Sequence, residues 1–311
     1  LGISSNIIFE ILAINFEGLI AYQYETVLII AIVIIVVFYL LMLIGKYTFF
    51  EKILIVFVSA MGLSFMLSLF FVQPLSMDIA KGLIPTIPKV TGGKMLVAAF
   101  VGTTMAAATF LSRPLFIKGK GWTIKNLRQQ KKDSVTAGVL IFIISATIMA
   151  VAAGALFYEG KEVTQVLDMA NTLEPIAGKW GVTIFFFGAL SAGLSSIFPC
   201  LLIVPLLVAD YQSGTLDTNS RQFRIITAVA CLVSLIGPAF GANPIEIQIL
   251  SQVFNVFVLP IVILGIICLL SSKKVMKSYK TSTGVYIGMY SALLFSLVIS
   301  YNGVLALLNY F

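Results

Sequence analysis

Hydrophobic positions along this chain do not trace a narrow amphipathic stripe; they come in unbroken runs of about 20 residues, the length that crosses a bilayer as a helix. The runs cover 1–21, 26–45, 53–72, 95–117, 134–157, 180–209, 223–240, 245–270 and 283–309. Nine helices are predicted, forming a single transmembrane domain over residues 1–311. Composition supports this: 59% of residues are hydrophobic and 11% charged, where a soluble domain carries about 25% charged residues. The predicted class is all-α integral membrane.

One run departs from the rest. Within 95–117 the chain reads VGTTMAAATFLSR and then Pro114, with small and hydroxylated residues where other spans hold Leu, Ile, Val and Phe. Two structures fit. One is an interrupted helix, tolerated at bilayer depth where it lines a cavity or is buried in protein. The other is a straight helix with a small packing face.

Polar residues inside the other runs narrow the chemistry. The first run carries Asn6, Glu10 and Glu17; on a continuous helix the two glutamates lie within about 20° of each other. Ionisable groups at that depth face protein or water and commonly serve function. The stripe reads either as a proton or cation path or as a structural ion pair with Arg224. In 245–270, Gln248, Ser251, Gln252 and Asn255 share one helical face, and Pro260 suggests a bend. That face either bonds to other helices or lines a hydrated cavity. In 180–209, Gly188 with Ala192 and Ala189 with Gly193 have the spacing of close helix packing. Ser191, Ser195 and Ser196 beside them offer hydroxyls to packing or to an ion.

Charge sets orientation. The net charge is +7, yet 15 of the 20 basic residues fall in alternate loops, around Lys46, Lys118–Lys132, Arg221 and Lys273–Lys280. This is the positive-inside pattern rather than a nucleic-acid surface. It places the start of the chain in the cytoplasm and its end outside. Cys200, Cys231 and Cys268 fall inside spans, so no disulfide framework is implied. With no histidine, His-ligated metals and His proton relays are excluded. No Ser/His/Asp set, CxxC pair or phosphate loop points to an enzyme. Leu1 already lies in a span, and upstream helices are expected.

Several segments resemble the NRAMP family of divalent-metal transporters. GTTMAAATFLSRPLF is similar to its sixth helix, and KKDSVTAGVLIFIISATIMAVAAGALF to the helix that follows. DMANTLEPIAGKWGVTIFFFGALSAGLSSI is similar to its loop and eighth helix, and ILSQVFNVFVLPIVILGIICLLSSKKVM to its tenth. The resemblance runs from the third helix to the eleventh. It implies a LeuT-type fold of two inverted five-helix repeats, the first two helices lying outside this chain, and a multi-pass plasma-membrane protein. It further implies transport of a divalent cation as cargo, with no permanently bound cofactor.

The departures from the family refine the expected cargo. The family's Ala-Thr-Val-Met-Pro-His-Asn falls on Thr103, Thr104, Met105, Ala106, Ala107, Ala108 and Thr109. The metal-binding Met is thus Ala106, with Met105 one position away, and the family's His is Ala108. A tenth-helix Gln becomes Val258, with Asn255 one turn earlier, and one acid of the third helix becomes Ile20. A thioether favours softer metals, whereas oxygen and water suit Mg2+ and Mn2+; Mg2+ also gives up its water reluctantly. The expected site therefore comprises Thr103, Thr104, Met105, Ala106, Gln252 and Asn255. It passes partly hydrated Mg2+, and Mn2+ as well, with weak proton coupling or none. The alternatives are a proton-coupled Mn2+ or Fe2+ symporter using Met105 and, on the same fold, an amino-acid transporter. A non-transporting membrane scaffold is a further alternative.

Overall fold

The computed structural model describes residues 1–13, 16–43, 47–73, 76–82, 84, 86, 93–156, 166–214, 218–241 and 243–308. Among them every regular element is helical. The α-helices are α1 (Gly2–Ala13), α2 (Gln23–Leu43), α3 (Tyr47–Val72), α4 (Ser76–Gly82), α5 (Gly93–Thr104), α6 (Ala107–Gly119) and α7 (Leu127–Leu156). They continue with α8 (Val166–Ser213), α9 (Arg221–Ser234), α10 (Ile236–Ala239), α11 (Pro244–Ser271), α12 (Lys273–Met276) and α13 (Thr283–Leu308). Among the described residues eight helical stretches are long and apolar enough to cross a membrane.

The first predicted span is corrected. Its described helix is Gly2–Ala13, and Phe16, at φ −136° and ψ 79°, lies outside the helical region. A 3-10 helix, Glu17–Tyr22, then leads directly into α2. Apolar residues continue through this region, which is why hydropathy alone extends the helix. Gly18 sits within it, and Gly is the weakest helix former after Pro. Glu10 and Glu17 therefore do not share a helix face.

The chain forms two compact units. One comprises Leu1–Ile84 and Leu115–Ile245. Its axis is α8, a long helix broken at Gly178, whose φ of 65° and ψ of −178° suit only a residue without Cβ. One side of α8 packs Val182, Phe185 and Phe186 with Ile7 of α1, Phe65 of α3 and Val151 of α7. Further along, Phe198, Leu201 and Leu202 pack with Phe38 and Met42 of α2 and Phe223 of α9. Helices in lipid gain little from apolar burial against one another, so close approach depends on small residues. Here a Cβ added to Gly188 would lie 2.8 Å from Ser64 Cβ on α3. One added to Gly193 would lie 2.2 Å from Ser4 Oγ on α1.

The other unit comprises Pro85–Pro114 and Glu246–Phe311. Helices α5, α11 and α13 meet through Met95, Ala98, Val253, Val256, Ile299 and Ala306. A second cluster gathers Leu259, Ile263 and Ile267 of α11 with Met105, Phe110 and Met289. Helix α11 runs without interruption through Pro260, which is buried. Ser300 Oγ of α13 donates to the carbonyl of Val256, at 2.7 Å.

Candidate functional site

The small-residue stretch is an interrupted helix. Helix α5 ends at Thr104, with Met105 N–H still donating to Val101 O at 2.8 Å; α6 begins at Ala107. The next backbone bond runs from Thr109 N–H to Ala106 O at 2.9 Å. The span Gly93–Gly119 is thus broken close to its midpoint. A helix end leaves its last carbonyls and its first N–H groups without helical partners. Among the described residues no hydrogen bond reaches the carbonyls of Gly102, Thr103 or Thr104. These carbonyls form the negative end of the α5 dipole.

Side chains around the break supply oxygen. Thr103 Oγ1 and Thr104 Oγ1 both donate to Phe100 O, at 2.8 and 3.1 Å. Each hydroxyl spends its proton on its own helix, which leaves the oxygen lone pairs of these exposed residues available. Ala106 and Ala108 are half-buried and present only methyl groups. Met105 packs against Leu259, Ile263 and Ile267, so its thioether rests among apolar groups.

Gly102 joins this break to the polar face of α11. A Cβ built there would stand 2.0 Å from the backbone oxygen of Gln252 and 3.2 Å from Val256 Cγ2. Only glycine permits this approach, one residue before Thr103. On α11, Gln252 and Asn255 are half-buried, and Asn255 Nδ2 donates to Gln252 Oε1 at 2.9 Å. That bond leaves Asn255 Oδ1 and the Gln252 amide N–H groups for other partners. Gln248 and Ser251 are exposed, and Ser251 Oγ donates back to Gln248 O at 2.8 Å. Among the described residues no cluster of three or more His, Cys, Asp or Glu could hold a metal. The donors present are hydroxyls, amides and main-chain carbonyls.

The remaining predicted residues lie in the other unit. Glu10 is half-buried on α1, whereas Arg224 is exposed in the first turn of α9. Among the described residues no ion pair joins Glu10 to Arg224, the one part of the alternative ion-pair reading that they reach. Glu17 opens the 3-10 helix, and its side chain lies outside the described residues. On α8, Ser191 and Ser195 are buried, while Ser195 and Ser196 both donate to Ala192 O at 2.9 Å. These hydroxyls are back-bonded to α8 where it packs on α1 and α3. Sequence reasoning missed Ser300, whose bond to Val256 O anchors α11 one residue beyond Asn255. Its signal is the polar group Ser300, Tyr301 and Asn302 inside an apolar run.

Residues 3–306 match the family described as Nramp, natural resistance-associated macrophage protein-like. The divalent metal cation transporter MntH of Caldanaerobacter subterraneus is 26% identical over 238 residues, covering 74% of this chain and 55% of the relative. MntH of Clostridium acetobutylicum is 24% identical over 224 residues, covering 68% and 50%. MntH of Vibrio campbellii is 26% identical over 243 residues, covering 76% and 55%. The chain spans about half the length of the curated relatives it matches. With eight candidate spans, an interrupted helix in its second unit and a family match from residue 3 to residue 306, the chain belongs to the Nramp family, a family of LeuT-type fold.

Proposed function

We propose that this chain forms the greater part of a divalent metal cation transporter whose cargo is Mg2+, with Mn2+ also accepted, carried as partly hydrated ions. The observation that carries the reading is the break between Thr104 and Ala107, with unpaired carbonyls and two threonine oxygens beside it and Met105 packed against Leu259, Ile263 and Ile267. The name of the relatives, divalent metal cation transporter, supports the cargo class.

The residues divide the work. Carbonyls of Gly102, Thr103 and Thr104 present the negative end of α5 to the ion, and helix ends act over the nearest turn. The Thr103 and Thr104 oxygens accept hydrogen bonds from its water shell or meet the ion directly. Asn255 Oδ1 accepts from that shell, and the Gln252 amide donates to the outer lone pairs of its waters. Ala106 and Ala108 leave volume for those waters. Retained water suits Mg2+, which dehydrates reluctantly, and the absence of sulfur at position 106 removes the preference for softer metals.

Orientation follows the basic loops: those around Lys46, Lys118–Lys132, Arg221 and Lys273–Lys280 face the cytoplasm and the end of the chain is extracytoplasmic, in the plasma membrane. Without histidine, a proton route would rest on Glu10, Glu17 and Arg224, and the reading takes proton coupling as weak or absent. Entry is driven by the membrane potential, worth about 2.3 kcal/mol per charge per 100 mV. The experiment is Mn2+ uptake into proteoliposomes against rising Mg2+. Millimolar Mg2+ suppresses uptake if both ions use one oxygen-lined site. Uptake untouched by millimolar Mg2+ would overturn the magnesium reading in favour of a sulfur-selective symporter using Met105.

A further inference from the structure

The segment joining α6 to α7 is too ordered for a simple charged connector. Asn126 Oδ1 accepts from Thr123 N–H at 3.1 Å, Asn126 N–H donates to Thr123 O at 2.9 Å, and Gln130 Nε2 donates to Thr123 O at 3.0 Å. These bonds fold residues 123–130 into a 3-10 turn, Ile124–Asn126, running straight into α7. Lys120 lies 3.8 Å from Asp133 and over the Trp122 ring, 4.9 Å from its centroid. Lys118 donates to Asp210 Oδ1 and to Gly214 O, each at 2.5 Å, which ties the end of α6 to the end of α8.

What this network presents outward is basic and apolar together. Lys125, Arg128, Lys131 and Lys132 are exposed, and among the described residues none of them forms an ion pair. Between them Ile124 is 54% and Leu127 55% exposed. A surface facing only water has no use for that apolar pair beside four uncompensated cations. A headgroup region has use for both, since juxtamembrane basic clusters attract anionic lipid and apolar side chains enter the acyl boundary. Half-buried Trp122 is the kind of aromatic that settles at the interface.

We infer that residues 118–132 form a built docking surface for anionic phospholipid headgroups. Lys125, Arg128, Lys131 and Lys132 contact phosphates, and Ile124 and Leu127 insert among the upper acyl carbons. The inference rests on the membrane reading of the chain and is independent of which ion is carried.

The test uses the full-length protein in lipid nanodiscs, with every tryptophan except Trp122 replaced by Phe. Trp122 lies inside this surface, so its emission reports this site. Brominated phosphatidylglycerol reaches a given quenching at about a fifth of the mole fraction that brominated phosphatidylcholine requires, the enrichment expected even from a single basic group near the surface. The difference collapses in the Lys125→Gln, Arg128→Gln, Lys131→Gln, Lys132→Gln variant. It also shrinks in the unsubstituted surface as salt rises, because exposed charges are screened; this measurement needs no mutant to fold. Equal quenching by the two lipids, or a difference indifferent to both salt and charge removal, would overturn the proposal.

Discussion

Two small-residue crossings in this protein look alike in sequence and differ in what they build. On α8, Gly188 and Gly193 let α3 and α1 close in, and the nearby Ser195 and Ser196 hydroxyls bond back to Ala192 O in the part of the helix that runs unbroken beyond Gly178. On α5, Gly102 lets α11 close in, but the helix stops two residues later, leaving main-chain carbonyls and two exposed threonine oxygens. Close packing alone yields a solid contact. Close packing beside an interrupted backbone ladder leaves unpaired main-chain carbonyls within a span. The small residue is common to both; the broken ladder makes the difference.

The same substitution at the two crossings separates them most sharply. Gly102→Ala sets a methyl 2.0 Å from the Gln252 backbone oxygen, which cannot swing aside. Overpacking typically costs about 1–3 kcal/mol, and this variant belongs at the upper end, read as a lowered melting temperature in detergent with uptake lost. Asn255→Leu removes an amide whose membrane hydrogen bonds are worth about 0.6–2 kcal/mol. Uptake is expected to fall several-fold at unchanged melting temperature; normal uptake would make Asn255 a packing residue. Ala106→Met adds a soft ligand at the break. Competition uptake should then shift toward Mn2+ or Cd2+ over Mg2+, and unchanged selectivity would place the ion elsewhere. Gly193→Ala is the mildest. Its added methyl meets the Ser4 hydroxyl at 2.2 Å, a group that can rotate. Alanine also gains about 0.5–1 kcal/mol over glycine in a helix. Stability within about 1 kcal/mol of the parent and near-normal uptake are expected.

Much of this was legible from residue order. Long apolar runs end close to the helices they foretell, as 283–309 does against Thr283–Leu308, because the bilayer imposes a length that composition alone reveals. The amide face of α11 was also legible, since a continuous helix obeys its angular period. The same rule misled at Glu10 and Glu17, because Phe16 between them leaves the helical region and Glu17 opens a 3-10 helix. The interruption near Met105 left two structures open, since small residues serve both. The direction taken by the Met105 side chain was not legible, because no angular period holds where the helix stops. Nor could the chain order show that Gly102 meets the Gln252 carbonyl, which is a tertiary contact across 150 residues of sequence.

Pro260 has no N–H to offer the carbonyl four residues earlier, that of Val256, and Ser300 Oγ of α13 donates to that same oxygen. The missing rung of one helix is thus replaced by a side chain from another. Continuity of α11 just below Asn255 becomes a shared property of two segments rather than a local one. Any displacement that parts α13 from α11 strands a carbonyl in hydrocarbon, so the two are expected to travel as one rod.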